Sequence, residues 1–108
     1  MKYKVIATEG AVKDINDIWT YIVLNDSLEN ADYVLAGLEN SVKSLEQSPH
    51  KGHIPLELER ISVLNYLEIH FKPYRIIYSI EGMSVHVFCV IDGRRNVQSI
   101  MNRRFLRW

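Results

Sequence analysis

The sequence predicts an α+β fold in the order N-terminal strand, helical hairpin, antiparallel sheet meander and short C-terminal helical tail. The first observation is that apolar residues recur every three or four positions between residues 11 and 45. The second is that the period changes to two from about Ile61 onward, with Lys72-Pro73 and Glu81-Gly82 as separating turns. With 108 residues, the chain is expected to form one domain, 1–108, around a single core.

The N-terminal half predicts a strand followed by two helices. Residues 3–7 are mostly apolar and partly β-branched, which suits a strand. A first amphipathic helix is expected to end near Asn25-Asp26, and Ser27 is a suitable N-cap for a second one, which the turn at residues 48–52 ends. The residues expected to face the core are Ala11, Ile15, Ile18, Ile22, Ala31, Val34, Leu35, Leu38, Val42 and Leu45.

Two-residue turns would set the register of the meander. They would place Phe71 opposite Tyr74 and Ile80 opposite Met83. One face of the sheet is then apolar throughout, including Cys89 and Ile91, and is expected to be covered by the helices. The other face is expected to be open and to carry Tyr66, Glu68, His70, Arg75, Ile77, Ser79, Ser84, His86 and Phe88.

The C-terminal tail is basic. Residues 1–91 contain 8 Lys and Arg against 12 Asp and Glu, whereas residues 92–108 contain 5 Arg and one acid. The spacing of Val97, Met101, Phe105 and Trp108 predicts a short helix, at whose end Trp108 can anchor a partner. The arginines Arg94, Arg95, Arg103, Arg104 and Arg107 suit nucleic-acid phosphates or an acidic protein groove, or form a solvated face that keeps an acidic body soluble.

Several function classes receive no support. Cys89 is the only cysteine, so no intrachain disulfide can form, and the sequence has neither a signal peptide nor a membrane span, so a cytoplasmic location is expected. His50 and His53 lie three apart but have no third ligand of suitable spacing, so no metal site is expected. No glycine-rich phosphate loop or other cofactor motif is present.

The strongest candidate site is the group Glu68, His70, Arg75 and His86 on the open face. RNA cleavage by the 2′-hydroxyl would need a base, an acid and a cation for the phosphorane. Glu68 or His70 suits the base, His86 the acid and Arg75 the cation. The alternative interpretation is a partly solvated Glu68–Arg75 ion pair beside two histidines.

Three segments, 73–78 (PYRIIY), 90–96 (VIDGRRN) and 103–106 (RRFL), are similar to the RelE/ParE superfamily of bacterial type II toxins. The similarity extends to Ala31 and Leu38 and to Leu45, Pro49 and Gly52. It covers most of the chain. It implies the α+β fold and a cognate antitoxin, a disordered segment of which folds across the toxin.

The resemblance leaves two targets open. RelE-like members are metal-independent endoribonucleases that cleave mRNA on the ribosome, which would assign Glu68, His70, Arg75 and Arg95 to catalysis. Where RelE-like members tend to carry lysines, this chain has Tyr66 and Glu68. Met101 stands where a tyrosine is common.

ParE-like members poison DNA gyrase through a mechanism that involves the C-terminal region, and Glu68 and the RRFL ending are closer to them. The leading hypothesis is therefore a gyrase-binding toxin that uses Arg75, Arg94, Arg95 and the arginine tail toward gyrase or the antitoxin. The alternatives are a ribosome-dependent endoribonuclease, with the ribosome and mRNA as partners, and a non-toxic binding module. The last is suggested by Leu67, where relatives usually carry arginine.

Overall fold

The computed structural model describes residues 2–106. Its strands and helices are β1 (Lys4–Ala7), α1 (Glu9–Asn25), α2 (Leu28–Lys43), α3 (Leu56–Glu59), β2 (Leu67–Phe71), β3 (Tyr74–Glu81), β4 (Ser84–Asp92) and α4 (Val97–Phe105). One four-stranded sheet has the order β1-β4-β3-β2. Strands β2, β3 and β4 form an antiparallel meander, and β1 pairs in parallel with β4. The predicted α+β fold is confirmed.

Each helix of the hairpin α1–α2 begins with a side-chain cap. The Thr8 hydroxyl accepts a hydrogen bond from the Ala11 N–H at 3.2 Å, and the predicted cap Ser27 accepts one from the Asn30 N–H at 3.0 Å. The hairpin covers one face of the sheet. The buried residues of this first core are Ala11, Ile22, Ala31, Val34, Leu38, Leu45, Tyr74, Ile76, Tyr78, Val85, Val87 and Val90.

The face predicted to be open is in fact covered in part. Helices α3 and α4 pack on it and form a second core of Leu58, Ile77, Cys89, Ile91, Val97, Ile100 and Met101. The prediction was wrong because α3 has only four residues and its alternating sequence, Leu-Glu-Leu-Glu, has no helical period.

A β-bulge changes which residues of β4 face each core. The register shifts at Ile77/Tyr78, so Val87 pairs with Tyr78 but Val90 pairs with Ile76. Cys89 and Ile91 therefore belong to the second core, not to the hairpin face as predicted.

The sequence predicts the residue pair that closes the first turn of the meander correctly, but not the pair that closes the second. Phe71 pairs with Tyr74 as predicted. At the second turn the predicted pair Ile80–Met83 was wrong, because Glu81 pairs with Ser84 and the loop is Gly82-Met83. Gly82 has φ of +60°, and this left-handed conformation favours glycine at the first loop position.

The C-terminal helix is fastened to the body by an ion pair. Arg104 Nη1 donates to Asp14 Oδ1 and Arg104 Nη2 to Asp14 Oδ2, both at 3.1 Å. Asp14 Oδ2 also accepts from the Val90 N–H at 2.9 Å. Val97, Met101 and Phe105 pack inward as predicted. Arg107 and Trp108 lie outside the described residues.

Among residues 2–106, no helix combines the length and the apolarity needed to cross a membrane.

Candidate functional site

The candidate site is a cleft of about 510 Å³ beside the β2–β3 turn. The pairing of β2 with β3 positions three side chains of the cleft. His70 lies opposite Arg75, and Glu68 lies two residues before His70 on the same face of β2. Helix α3 then brings Glu57 into contact with the guanidinium of Arg75.

Arg75 lies between two carboxylates. Its Nε donates to Glu68 Oε1 at 2.6 Å and its Nη2 to Glu68 Oε2 at 2.9 Å. Its Nη1 donates to Glu57 Oε2 at 2.9 Å and its Nη2 to Glu57 Oε1 at 2.6 Å. Both contacts are bidentate, which is the strongest pairing geometry available to a guanidinium.

Little of this network meets solvent. The side chain of Glu68 is 2% exposed, and those of Arg75 and Glu57 are each 17% exposed. The hydrogen bond with Glu57, followed by that with Glu68, raises the pKa of Arg75 despite its burial. The hydrogen bond from Arg75 lowers the pKa of Glu57. Arg75 and Glu57 are thus both charged at neutral pH, and they pair with each other.

Two histidines flank the buried carboxylate. His70 Nε2 lies 3.1 Å from Glu68 Oε1, and His53 Nε2 lies 3.3 Å from Glu68 Oε2. The His53 N–H donates to the Glu68 carbonyl at 3.2 Å and the Glu68 N–H to the His53 carbonyl at 2.8 Å. The ring centroids of His53 and His70 are 5.6 Å apart.

The structure brings together three of the four residues assigned to catalysis in the nuclease hypothesis, Glu68, His70 and Arg75. Arg95 instead lines a larger cleft of about 1200 Å³ between the helical hairpin and the β2–β3 turn. His86, expected beside Glu68, pairs with Ser79, and its Nε2 lies 3.7 Å from Glu81 Oε2. That expectation was wrong because His86 and His70 lie toward opposite ends of the sheet.

The arginines of the C-terminal region have separate environments. Arg94 binds Asp92, with Nη2 2.8 Å from Oδ2, and this hydrogen bond lowers the pKa of Asp92. Arg104 binds Asp14, whereas Arg103 is exposed and donates from Nη1 to the Ser99 hydroxyl. Arg95 is exposed.

Sequence reasoning missed three residues of these networks: Glu57, His53 as a neighbour of Glu68, and Asp14 as the partner of Arg104. Asp14 falls outside the apolar stripe of α1, so its spacing does not mark it as a partner of another element. Glu57 and His53 lie in a stretch without a clear period, so only the folded chain shows their positions.

Residues 5–97 match the family model described as "ParE toxin of type II toxin-antitoxin system, parDE". The chain belongs to this family. It is accordingly a toxin component of a type II toxin-antitoxin system. No curated protein sequence matches it significantly.

Three solved structures that share this toxin's fold are 16–19% identical to it in sequence. The chromosomal ParDE system from P. aeruginosa superposes with a TM-score of 0.70 at 16% identity, covering 84% of this chain and 96% of that chain. The RelBE2 toxin-antitoxin complex from Mycobacterium tuberculosis gives 0.64 at 19% identity, covering 85% and 92%. A mutant of the E. coli toxin RelE in the free state gives 0.62 at 17% identity, covering 98% and 100%. At these identities the similarity shows the fold alone.

Proposed function

We propose that this toxin inhibits growth by binding DNA gyrase and does not act by cutting mRNA. The observation that carries the proposal is the enclosure of Arg75 by Glu57 and Glu68. A guanidinium has five N–H donors. Four hydrogen bonds from Arg75 end on these two carboxylates.

The charge of this cluster argues against phosphate binding. With neutral histidines, the formal charges of Arg75, Glu57 and Glu68 add to −1. A scissile phosphate placed against Arg75 would have to displace one carboxylate and lie beside the other. Stabilising a phosphorane requires preorganised positive charge, and here that charge is already compensated.

A protein-binding role fits the basic C-terminal region. Within residues 2–106, Arg95 and Arg103 are exposed and form no ion pair, whereas Arg94 is paired with Asp92 and Arg104 with Asp14. We assign target contact to Arg95 and Arg103. Arg107 and Trp108, which follow in the sequence, are assigned the same role, and Arg75 organises the face of the sheet.

A cognate antitoxin is proposed as the second partner. A ParDE toxin-antitoxin system and a RelBE2 toxin-antitoxin complex are among the solved structures with this fold, which supports an antitoxin as partner. On this chain, four large apolar side chains near the tip of the hairpin are more than half exposed: Tyr21, Leu24, Leu28 and Tyr33. Tyr21 and Tyr33 also line the larger cleft, where an amphipathic antitoxin segment would bury them.

The test is plasmid supercoiling by purified gyrase. The toxin is expected to block supercoiling of a relaxed plasmid and to trap cleaved DNA. Arg95→Ala combined with Arg103→Ala should weaken this inhibition. Lys43→Ala is the control, because it removes from α2 an exposed cation that forms no ion pair within residues 2–106. Uninhibited supercoiling with no cleaved DNA would contradict the gyrase proposal.

A ribosome-dependent endoribonuclease is the alternative, favoured by the shared cleft of Glu68, His70 and Arg75. It predicts cleavage of ribosome-bound mRNA that His70→Ala abolishes. If the protein affects neither gyrase nor mRNA, the non-toxic binding module suggested by Leu67 is the remaining hypothesis.

A further inference from the structure

The two histidines and the buried carboxylate of the cleft form a group that the proposed function does not use. One ligand atom from each of His53, Glu68 and His70 lies within 4.8 Å of the other two. Both rings present Nε2 to the same carboxylate, one to each oxygen. We propose that His53, Glu68 and His70 bind a zinc ion, with one coordination position left open.

The spacing fits tetrahedral zinc. Zinc binds imidazole nitrogen and carboxylate oxygen at about 2.0–2.2 Å, so neighbouring ligand atoms of a tetrahedral site lie roughly 3.4 Å apart. The two histidine nitrogens lie 3.1 and 3.3 Å from the Glu68 oxygens. The ligand atoms of the three residues already lie within 4.8 Å of one another, so modest movements of the rings would bring them to this spacing. Both rings can turn, because His53 is 64% and His70 41% exposed.

The carboxylate retains capacity for a metal although Arg75 binds it. Each carboxylate oxygen has about two acceptor positions. Arg75 uses one on each oxygen, through Nε on Oε1 and Nη2 on Oε2. In metal sites such an outer group fixes the orientation of the ligand it contacts. Arg75 would have this role for Glu68, and Glu57 would compensate the charge of Arg75.

The backbone holds two of the ligands in place before any ion binds. His53 and Glu68 exchange two backbone hydrogen bonds, and His70 follows two residues later on the same face of β2. The segment before His53 is anchored as well. The Tyr78 hydroxyl accepts from the Gly52 N–H at 3.1 Å and donates to the Pro49 carbonyl at 2.7 Å. A Cβ on Gly52 would lie 2.6 Å from the Glu68 carbonyl oxygen, so glycine permits this close approach.

Ligand type and charge favour zinc over magnesium or calcium. Imidazole nitrogens suit zinc and its neighbours in the first transition row, whereas the alkaline-earth ions prefer oxygen ligands. The formal charge of −1 on the Arg75–Glu57–Glu68 cluster attracts a divalent cation. The side chains of His53 and His70 face the cleft of about 510 Å³, which leaves room for a water or an anionic group on the ion.

The proposed ligands differ from the two histidines that lie close together in the sequence. His50 and His53 are close in the sequence, but the His50 ring packs edge-on against Tyr3, with centroids 6.2 Å apart. The fold supplies the missing ligands from β2 instead. His50 and His86 therefore serve as matched controls, and His86 is the closer match because it also lies beside a carboxylate.

The experiment is a competition titration of ZnCl₂ against a chromophoric chelator with the purified full chain. We expect one zinc per chain. His53→Ala and His70→Ala should each weaken binding at least about tenfold, and His50→Ala and His86→Ala should leave it unchanged. The thermal midpoint gives an independent readout, since zinc should raise it in the wild type and not in the double variant of His53 and His70.

Two results would overturn the site. One is the absence of saturable zinc binding by the wild type. The other is binding that survives loss of both His53 and His70 or is weakened equally by His50→Ala. Both ligand histidines are exposed, so the variants are expected to fold. The readout does not involve gyrase or mRNA, so it is independent of the proposed function.

Discussion

Replacing Arg75 by methionine is the sharpest test of the central ion-pair network. Methionine keeps most of the unbranched stem but removes the guanidinium. Glu57 Oε1 and Glu68 Oε2 both contact Nη2, at 2.6 and 2.9 Å, so these oxygens are at most about 5.5 Å apart. Two unscreened carboxylates would then remain in a site where Glu68 is 2% exposed.

The size of the effect follows from two independent estimates. Unit charges about 5.5 Å apart repel by roughly 3 kcal/mol at an effective dielectric constant of about 20. Removing one partner of a buried ion pair typically costs about 3–5 kcal/mol. We therefore expect Arg75→Met to lower the free energy of unfolding by about 3–5 kcal/mol. This is a large part of the total stability of a small domain.

Urea unfolding at neutral pH, followed by circular dichroism, measures this change. With a slope of about 2 kcal/mol/M, the midpoint should fall by roughly 2 M. Arg94→Met is the control, because Arg94 also pairs with a carboxylate, that of Asp92, but is exposed, and the unfolding midpoint of this variant should not move measurably. Adding Glu57→Gln and Glu68→Gln to Arg75→Met should recover much of the loss. A single variant within about 1 kcal/mol of wild type, or a triple variant no better than the single one, would refute the reasoning.

Three further predictions concern the remaining structure. Gly37→Ala should destabilise the fold by about 1–3 kcal/mol in urea unfolding, because a Cβ there would overlap the Phe71 ring. The pKa of Glu57 lies below its ordinary value of 4.5, so its pairing with Arg75 contributes stability above about pH 4.5 and loses it as pH falls through the folded pKa. The stability difference between wild type and Glu57→Gln, measured by urea unfolding across pH, should shrink accordingly. Burial raises the pKa of Cys89 to about 12, so thiol reagents at pH 8 should modify only unfolded protein.

Each of these has a control or a contradicting result. For a Cβ on Gly10, also in a helix, the nearest atom would be Arg104 Nη2 at 3.1 Å, with no overlap of the kind found at Gly37, so Gly10→Ala should cost clearly less stability. A stability difference for Glu57→Gln that grows on acidification would contradict the sign of the Glu57 shift. Native Cys89 that reacts as fast as the unfolded thiol would contradict its burial.

The parts of the fold that were predicted from sequence have strong local signals. The apolar stripes of α1 and α2, the cap Ser27 and the Phe71–Tyr74 pair all rest on periodicity or turn chemistry. The bulge could not be predicted because residues 87–91 (VFCVI) are apolar without a break. Shifting this run by one residue buries an equally apolar set, so the pattern does not distinguish the two registers.

The site was predicted only in part for a related reason. Glu68, His70 and Arg75 share a face through strand alternation, which the sequence displays. Glu57 and His53 reach them through tertiary packing of an irregular segment, and no period marks such residues. The same packing buries Glu68. Its side chain, which was expected on an open face, therefore lies at the centre of a nearly closed ion-pair network.

The Asp14 carboxylate has a consequence for genetic studies of this toxin. The Asp14 side chain on the first helix accepts hydrogen bonds from a backbone N–H of the last strand and from an arginine of the last helix. A substitution at Asp14 or Arg104 that abolishes growth inhibition in cells would therefore look like the loss of a target contact, although a lower amount of folded protein would give the same phenotype. Screens for toxicity-deficient alleles need protein abundance measured alongside colony formation, and alleles at Arg95 or Arg103 are the ones expected to separate the two.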